Sequence, residues 1–304
     1  MIPAFLPSQF QQLNTANAIA FAESIQRCAM PLATIFDGIA TPLNQQPIAT
    51  TFVHQGNSEV PILLIHGFDS SILEFRRLLP LLAEFSETWA VDLLGFGFTE
   101  RLSGIPYTPS TIKTHLYHFW KTAINRPVTL VGASMGGATA IDFTLTYPHC
   151  VKQLILINSV GYTGTFPQGR FLFPPLDDWA VEFWRQRKLQ ALFLGTTFAN
   201  LNLEDLESLR CATLHLEMPG WHEAMKSFTT SGGYSDIAPQ IKRLSQKTLI
   251  LWGDSDDEIG TADAEKFQRD IVRSQLVWLK SGHVPQLQQP EMTAVQIKLF
   301  TESS

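Results

Sequence analysis

VTLVGASMGGATAIDFTLTYP, residues 128–148, decides the fold. It opens on a short apolar run, passes through Gly132-Ala133-Ser134-Met135-Gly136, and continues as an apolar segment of helical length. The central five residues fit G-x-S-x-G. Between a strand and a helix, this spacing puts one serine on a sharp, strained turn, with glycines where side chains would collide. The helix that follows aims unpaired N–H groups at the turn and favours negative charge there. The bare pattern arises often by chance. The apolar strand before it and the apolar helix after it make it informative, and they make Ser134 the candidate nucleophile.

Outward from this stretch the chain repeats the same rhythm. Short β-type runs occur at 48–53, 61–67, 87–95, 126–134, 151–159, 246–254 and 274–280. Several are continuously apolar, as strands buried on both faces must be. Helical patterns at 72–85, 110–124, 135–146, 262–270 and 290–301 separate them. Alternating strand and helix predicts an α/β fold, a mostly parallel sheet with helices on both faces.

Two segments depart from the rhythm. Residues 8–30 read as one helix, with Phe10, Leu13, Asn17, Phe21, Ile25 and Cys28 forming a mostly apolar stripe that Pro31 ends. Residues 161–235 hold no clear buried strand but many large aromatics, among them Phe166, Trp179, Phe183, Trp184, Phe198 and Trp221. They read as a helical cap inserted over the sheet. The expected organisation is an N-terminal extension (1–47), a core (48–160 and 236–304) and the cap (161–235). The cap's aromatics either form its own core or line an apolar substrate pocket; Ala133, Trp179, Phe183 and Trp221 are the candidate substrate-binding residues.

A nucleophilic serine needs a base, and the base needs an orienting acid. This architecture predicts the chain order Ser…Asp…His. After the apolar run TLILWG comes DSDDEIG, which offers Asp256, with Asp254 as the alternative. After QLVWLK comes SGHVPQ, where His283 follows a glycine in a loop. Acyl transfer also needs two N–H donors at the developing oxyanion. The backbone amide of Met135 is one candidate, and that of Phe68, in the loop after LLIHGF, is the other.

The 304 residues are 45% hydrophobic, enough for a large core. With a net charge of −6 and no Lys/Arg cluster on one face, nucleic acid is not an expected partner, and neither is an anionic membrane held by charge. Cys28, Cys150 and Cys211 lack metal-ligand spacing and read as small buried side chains in a reducing compartment. The N-terminus lacks the basic segment of a secretory signal, and no run reaches the roughly 18 apolar residues of a membrane span. The expectation is a soluble cytoplasmic protein, with peripheral association with internal membranes left open.

In HGF (66–68), DLLGFGFT (92–99), GASMGG (132–137), LWGDSDDEIG (251–260) and GHVPQLQQPE (282–291), the chain resembles the α/β-hydrolase superfamily over about residues 48–300. In wording it is similar to a subgroup from cyanobacteria and plant chloroplasts. The resemblance implies Ser134 as nucleophile, Asp256 as acid, His283 as base, and Phe68 and Met135 as oxyanion donors. It implies no metal or organic cofactor. It also implies acyl chemistry, because relatives that open epoxides or displace halide carry Asp at the elbow. Ala133 stands where many relatives carry a larger side chain, and Gly260 where proline is frequent. The expected activity is hydrolysis of a carboxylic ester with an apolar acyl or alcohol part. A carbon–carbon hydrolase or thioesterase would use the same triad; a ligand-binding protein with a slow triad is the alternative of another class.

Overall fold

The computed structural model describes residues 1–31, 46–197 and 201–303. Among them eight strands form one sheet: β1 (Gln26–Met30), β2 (Ile48–Gln55), β3 (Ile62–Ile65), β4 (Thr88–Val91), β5 (Val128–Ala133), β6 (Val151–Ile157), β7 (Lys247–Gly253) and β8 (Ser274–Leu279). Their order is β1-β2-β4-β3-β5-β6-β7-β8. β1 and β2 run antiparallel to their neighbours, and the other pairings are parallel.

The described helices are α1 (Ala16–Glu23), α2 (Leu78–Ala83), α3 (Pro109–Phe119), α4 (Met135–Thr146), α5 (Leu176–Thr197), α6 (Leu203–Cys211), α7 (Trp221–Thr230), α8 (Ala262–Asp270), α9 (Pro285–Gln288) and α10 (Pro290–Glu302). The strands alternate side chains between two cores, as period-2 geometry requires. Leu63 and Ile65 join one core with α3, α4 and α8. Ile62 and Leu64 join the other with α1, α2 and α10. This double burial is why β3 and the later parts of β5 and β7 read as apolar runs. No helix among the described residues is long and apolar enough to cross a membrane.

The chain leaves β3 toward one side of the sheet, to β4, and then returns to β5 on β3's other side. The loops after β3 and β5 therefore meet at a topological switch point, where α/β sheets bind ligands. Ile65 pairs with Gly132, so the residues following both strands emerge side by side.

The N-terminal region departs from expectation. Residues 8–12 form a 3-10 turn, α1 ends at Glu23, and residues 26–30 form β1, antiparallel to β2, instead of the last turns of one helix. The edge of β2 offers backbone partners, and sheet pairing overrides a helical period over so short a span. Phe10, Leu13, Phe21 and Ile25 are buried, whereas Asn17 is exposed. Glu207 on α6 ties the segment down, accepting from the amides of Asn14 at 2.6 Å and Thr15 at 2.9 Å.

Between β6 and β7 lie α5, α6 and α7, a helical insertion in which α5 packs against both of the others. Phe198 lies outside the described residues. Burial pushes the thiols of Cys28 and Cys211 up to about 11, so both are protonated at neutral pH.

Candidate active site

Ser134 joins β5 to α4 with φ +52° and ψ −121°, a conformation a side chain tolerates only under external constraint. Three backbone hydrogen bonds supply it: its amide donates to Ile157 at 2.9 Å, and its carbonyl accepts from Gly137 at 2.9 Å and Val160 at 3.0 Å. The flanking glycines are required by space. A Cβ at Gly132 would lie 2.2 Å from the Gly136 carbonyl oxygen, and one at Gly136 would lie 2.2 Å from that of Ile65. Because backbone cannot give way as a side-chain tip does, Gly136→Ala is expected to cost at least about 1–3 kcal/mol. A thermal midpoint equal to wild type would contradict that.

His283, in the loop between β8 and α9, places Nε2 3.0 Å from Ser134 Oγ. Its Nδ1 lies 3.0 Å from Asp256 Oδ2. A carboxylate there accepts from Nδ1–H, which leaves Nε2 free to accept from the serine hydroxyl. Asp256, and not Asp254, makes this contact; the Asp254 carboxylate accepts from Ser255 Oγ. Asp256 Oδ1 accepts from the amides of Glu258 at 3.0 Å and Ile259 at 3.2 Å. Its Oδ2 also accepts from Asn158 Nδ2 at 2.7 Å. Asn158 follows β6 with φ +40°, and its side-chain Oδ1 accepts from the Gly253 amide at 3.1 Å.

Burial disfavours charge on both Asp256 and His283. On Asp256 it is outweighed by the hydrogen bonds from His283 and Asn158, and the carboxyl stays below its usual range. On His283 it is outweighed by the bond to Asp256 and the charges of Glu258, Asp256 and Glu74, and the pKa rises above the ordinary 6.5. A base that must be neutral to accept a proton is lost as pH falls through that raised value. The acid limb of kcat/KM is therefore expected to have its midpoint above 6.5. A pH–rate profile with a midpoint at or below it would contradict this assignment.

The loop after β3 passes directly against the serine: a Cβ at Gly67 would lie 3.2 Å from Ser134 Cβ. Met135 is the first residue of α4, so its N–H has no acceptor within the helix. No loop or side-chain acceptor among the described residues takes the Phe68 N–H or that of Met135. Behind the loop, buried Glu74 accepts from the Gly67 amide at 3.0 Å and from Gln286 Nε2 at 2.7 Å. It thereby links the Phe68 loop to α9, just after His283. Burial raises the Glu74 pKa. Sequence reasoning missed Glu74 and Asn158. Asn158 carried a faint signal, as the polar residue that ends an apolar strand.

A cavity of about 610 Å³ is lined by Ser134, His283 and Phe68. Phe166, Trp184 and Val160 add apolar wall, and Arg187, Lys188, Asp257 and Glu258 add charge. The expected substrate contacts fall elsewhere. Trp179 and Phe183 are 65% and 63% exposed on α5, facing solvent. Ala133 is buried in the core shared with α1 and α10. Trp221 is buried and donates from Nε1 to Asp69 at 2.8 Å. On α5 a one-residue step turns a side chain by about 100°, so Trp184 reaches the cavity where Phe183 does not.

A profile of the "Alpha/beta hydrolase family" matches residues 62–296. The chain is 34% identical over 293 residues to alpha/beta hydrolase domain-containing protein VTE7 of Arabidopsis thaliana, covering 95% of this chain and 87% of that one. It is 29% identical over 252 residues to 2-hydroxy-6-oxo-2,4-heptadienoate hydrolase of Pseudomonas putida, covering 79% of this chain and 88% of that one. In fold it is similar to a thermophilic esterase of Thermogutta terrifontis, with TM-score 0.72 and 23% identity over 91% of this chain and 98% of the other. With a profile match over most of its length and a parallel sheet carrying a serine elbow at its centre, the chain belongs to the alpha/beta hydrolase family.

Proposed function

We propose that the protein is a serine hydrolase that cleaves a carboxylic ester with an apolar acyl or alcohol part through an acyl-enzyme on Ser134. The unbroken hydrogen-bonded line Ser134–His283–Asp256 carries this reading. As Ser134 Oγ attacks the ester carbonyl, His283 Nε2 takes its proton. Asp256 holds the Nδ1–H tautomer and stabilises the imidazolium. The amides of Phe68 and Met135 donate to the oxyanion. His283 then protonates the leaving alcohol, and it next activates the water that releases the acid. The chemistry uses no metal or organic cofactor, and the partner is a small molecule.

In this reading residues 161–235 act as a cap on the 48–160 and 236–304 core, with 1–47 as an extension. A cavity of about 610 Å³ suits a mid-sized ligand, and its Phe68, Phe166 and Trp184 wall supports an apolar substrate part. The second reading is a carbon–carbon hydrolase or thioesterase on the same triad. Arg187 at the cavity favours it, since its guanidinium can pair with a substrate carboxylate. A panel of short- and long-chain chromogenic esters, a thioester and a ring-fission dienoate separates these readings. Highest kcat/KM on an ester supports the first. Highest kcat/KM on the dienoate or the thioester supports the second. Tight saturable binding without turnover overturns both in favour of a ligand-binding protein.

A further inference from the structure

Asp69 directly follows Phe68, the residue whose amide is the proposed oxyanion donor. Its φ is +46°, a region that a non-glycine residue holds only when its surroundings compel it. Its buried carboxylate is gripped by three separate parts of the helical insertion. Trp221 Nε1, at the start of α7, donates to Oδ1 at 2.8 Å. His215 Nε2, in the turn before α7, donates to the same oxygen at 2.9 Å. Lys188 Nζ, on α5, pairs with Oδ2 at 2.8 Å and also donates to the Asp69 carbonyl. Burial, and then the charge of Lys188, holds the His215 imidazole neutral, with a pKa of about 4.

Phe68 itself is held from the same side. Its ring lies 4.8 Å from that of Phe166 and 5.7 Å from that of Phe228, both in the insertion. The Phe68 ring also meets Phe96 of the core at 6.0 Å, but the three polar partners of the Asp69 carboxylate all belong to the insertion. Among the three charged or polar partners, Lys188 is the one that also lines the cavity.

We propose that Asp69 is a positioning residue that couples the seating of the insertion to the aim of the Phe68 amide, so that the oxyanion site is complete only when the insertion is docked. This rests on Ser134 acting as proposed. It predicts a defect in the chemical step and not in substrate affinity. It also predicts the same defect for short and long esters, because every acyl substrate uses the oxyanion donor whether or not it reaches the insertion.

The test measures kcat and KM on a short-chain and a long-chain chromogenic ester for Asp69→Ala, Asp69→Asn, Lys188→Met and Trp221→Phe, with folding checked by circular dichroism. Asp69→Ala is expected to lower kcat by on the order of 10²–10³, the loss typical of one oxyanion donor, with KM little changed on both esters. Asp69→Asn, which can still accept from Trp221 and His215, is expected to fall between it and wild type. Lys188→Met and Trp221→Phe are expected to lower kcat more modestly, and adding Lys188→Met to Asp69→Ala is expected to cause no further loss, since both act through one contact.

If Asp69→Ala does not fold, the three milder variants decide. Folded variants that keep kcat, or that lose only KM or only the long ester, overturn the proposal. Failure of wild type itself to react with a serine-directed fluorophosphonate overturns the Ser134 reading instead, so the two failures are distinguishable.

Discussion

Ser134→Ala is expected to lower kcat on an ester by on the order of 10⁴–10⁶, with fold and KM close to wild type. Substitution removes the oxygen that forms the acyl-enzyme. His283 is left to activate water, and what remains comes from binding and the oxyanion donors. The structural cost is small, because the hydroxyl's one hydrogen bond among the described residues is to His283. Alanine keeps the Cβ that serine already carries at φ +52°, so the turn is strained to the same degree. Steady-state kinetics beside a thermal melt check this. A folded Ser134→Ala protein retaining more than about a hundredth of wild-type kcat would mean that the ester is cleaved elsewhere or by another route.

Asp256→Asn is expected to lower kcat by about 10⁴, for a reason visible in its neighbours. Oδ1 is fixed by the amides of Glu258 and Ile259, so the asparagine carbonyl oxygen stays at that position. The new NH2 group then takes the place of Oδ2 and donates to His283 Nδ1. The ring is driven to the Nε2–H tautomer, which has no lone pair for the serine proton. The NH2 also faces Asn158 Nδ2, donor against donor, and Asn158 can turn only by giving up the Gly253 amide. Burial of the imidazole persists, the charges of Glu258 and Glu74 remain, and the bond and charge of Asp256 that raised its pKa are gone. The acid limb of the residual activity should therefore move to lower pH than in wild type. Unchanged kcat, or an acid limb that does not move, would show that Asp256 is not the partner that sets the state of His283.

The central sheet was readable in the chain because strands buried on both faces leave apolar runs, such as ILLI in β3, LVGA in β5 and LILI in β6. β1 was not readable. QRCAM is short and half-exposed, and its partner is a distant strand edge that no local period reports. Ser134 and His283 stood out because their loops follow apolar strands and hold glycine where the backbone must turn tightly. Asp256 was preferred in the sequence with Asp254 as the alternative, and two residues of loop decide which carboxylate reaches the ring. Polar residues that act through buried contacts left little trace, Asn158 alone being marked, as the polar residue that ends an apolar strand. Glu74, Asp69 and Asn158 sit in loops and short turns without periodicity, and their partners lie far away in sequence. The exposed Trp179 and Phe183 show the converse: aromatic content alone does not say which face of a long helix meets the substrate.

The claim that Ser134 is a nucleophile driven by His283 and Asp256 is tested most directly by fluorophosphonate labelling, read by intact mass and peptide mapping. One adduct per chain is expected, on Ser134, absent in Ser134→Ala and forming much more slowly in Asp256→Asn. A folded protein that takes no label, or an adduct on another residue whose loss abolishes ester turnover, would contradict it.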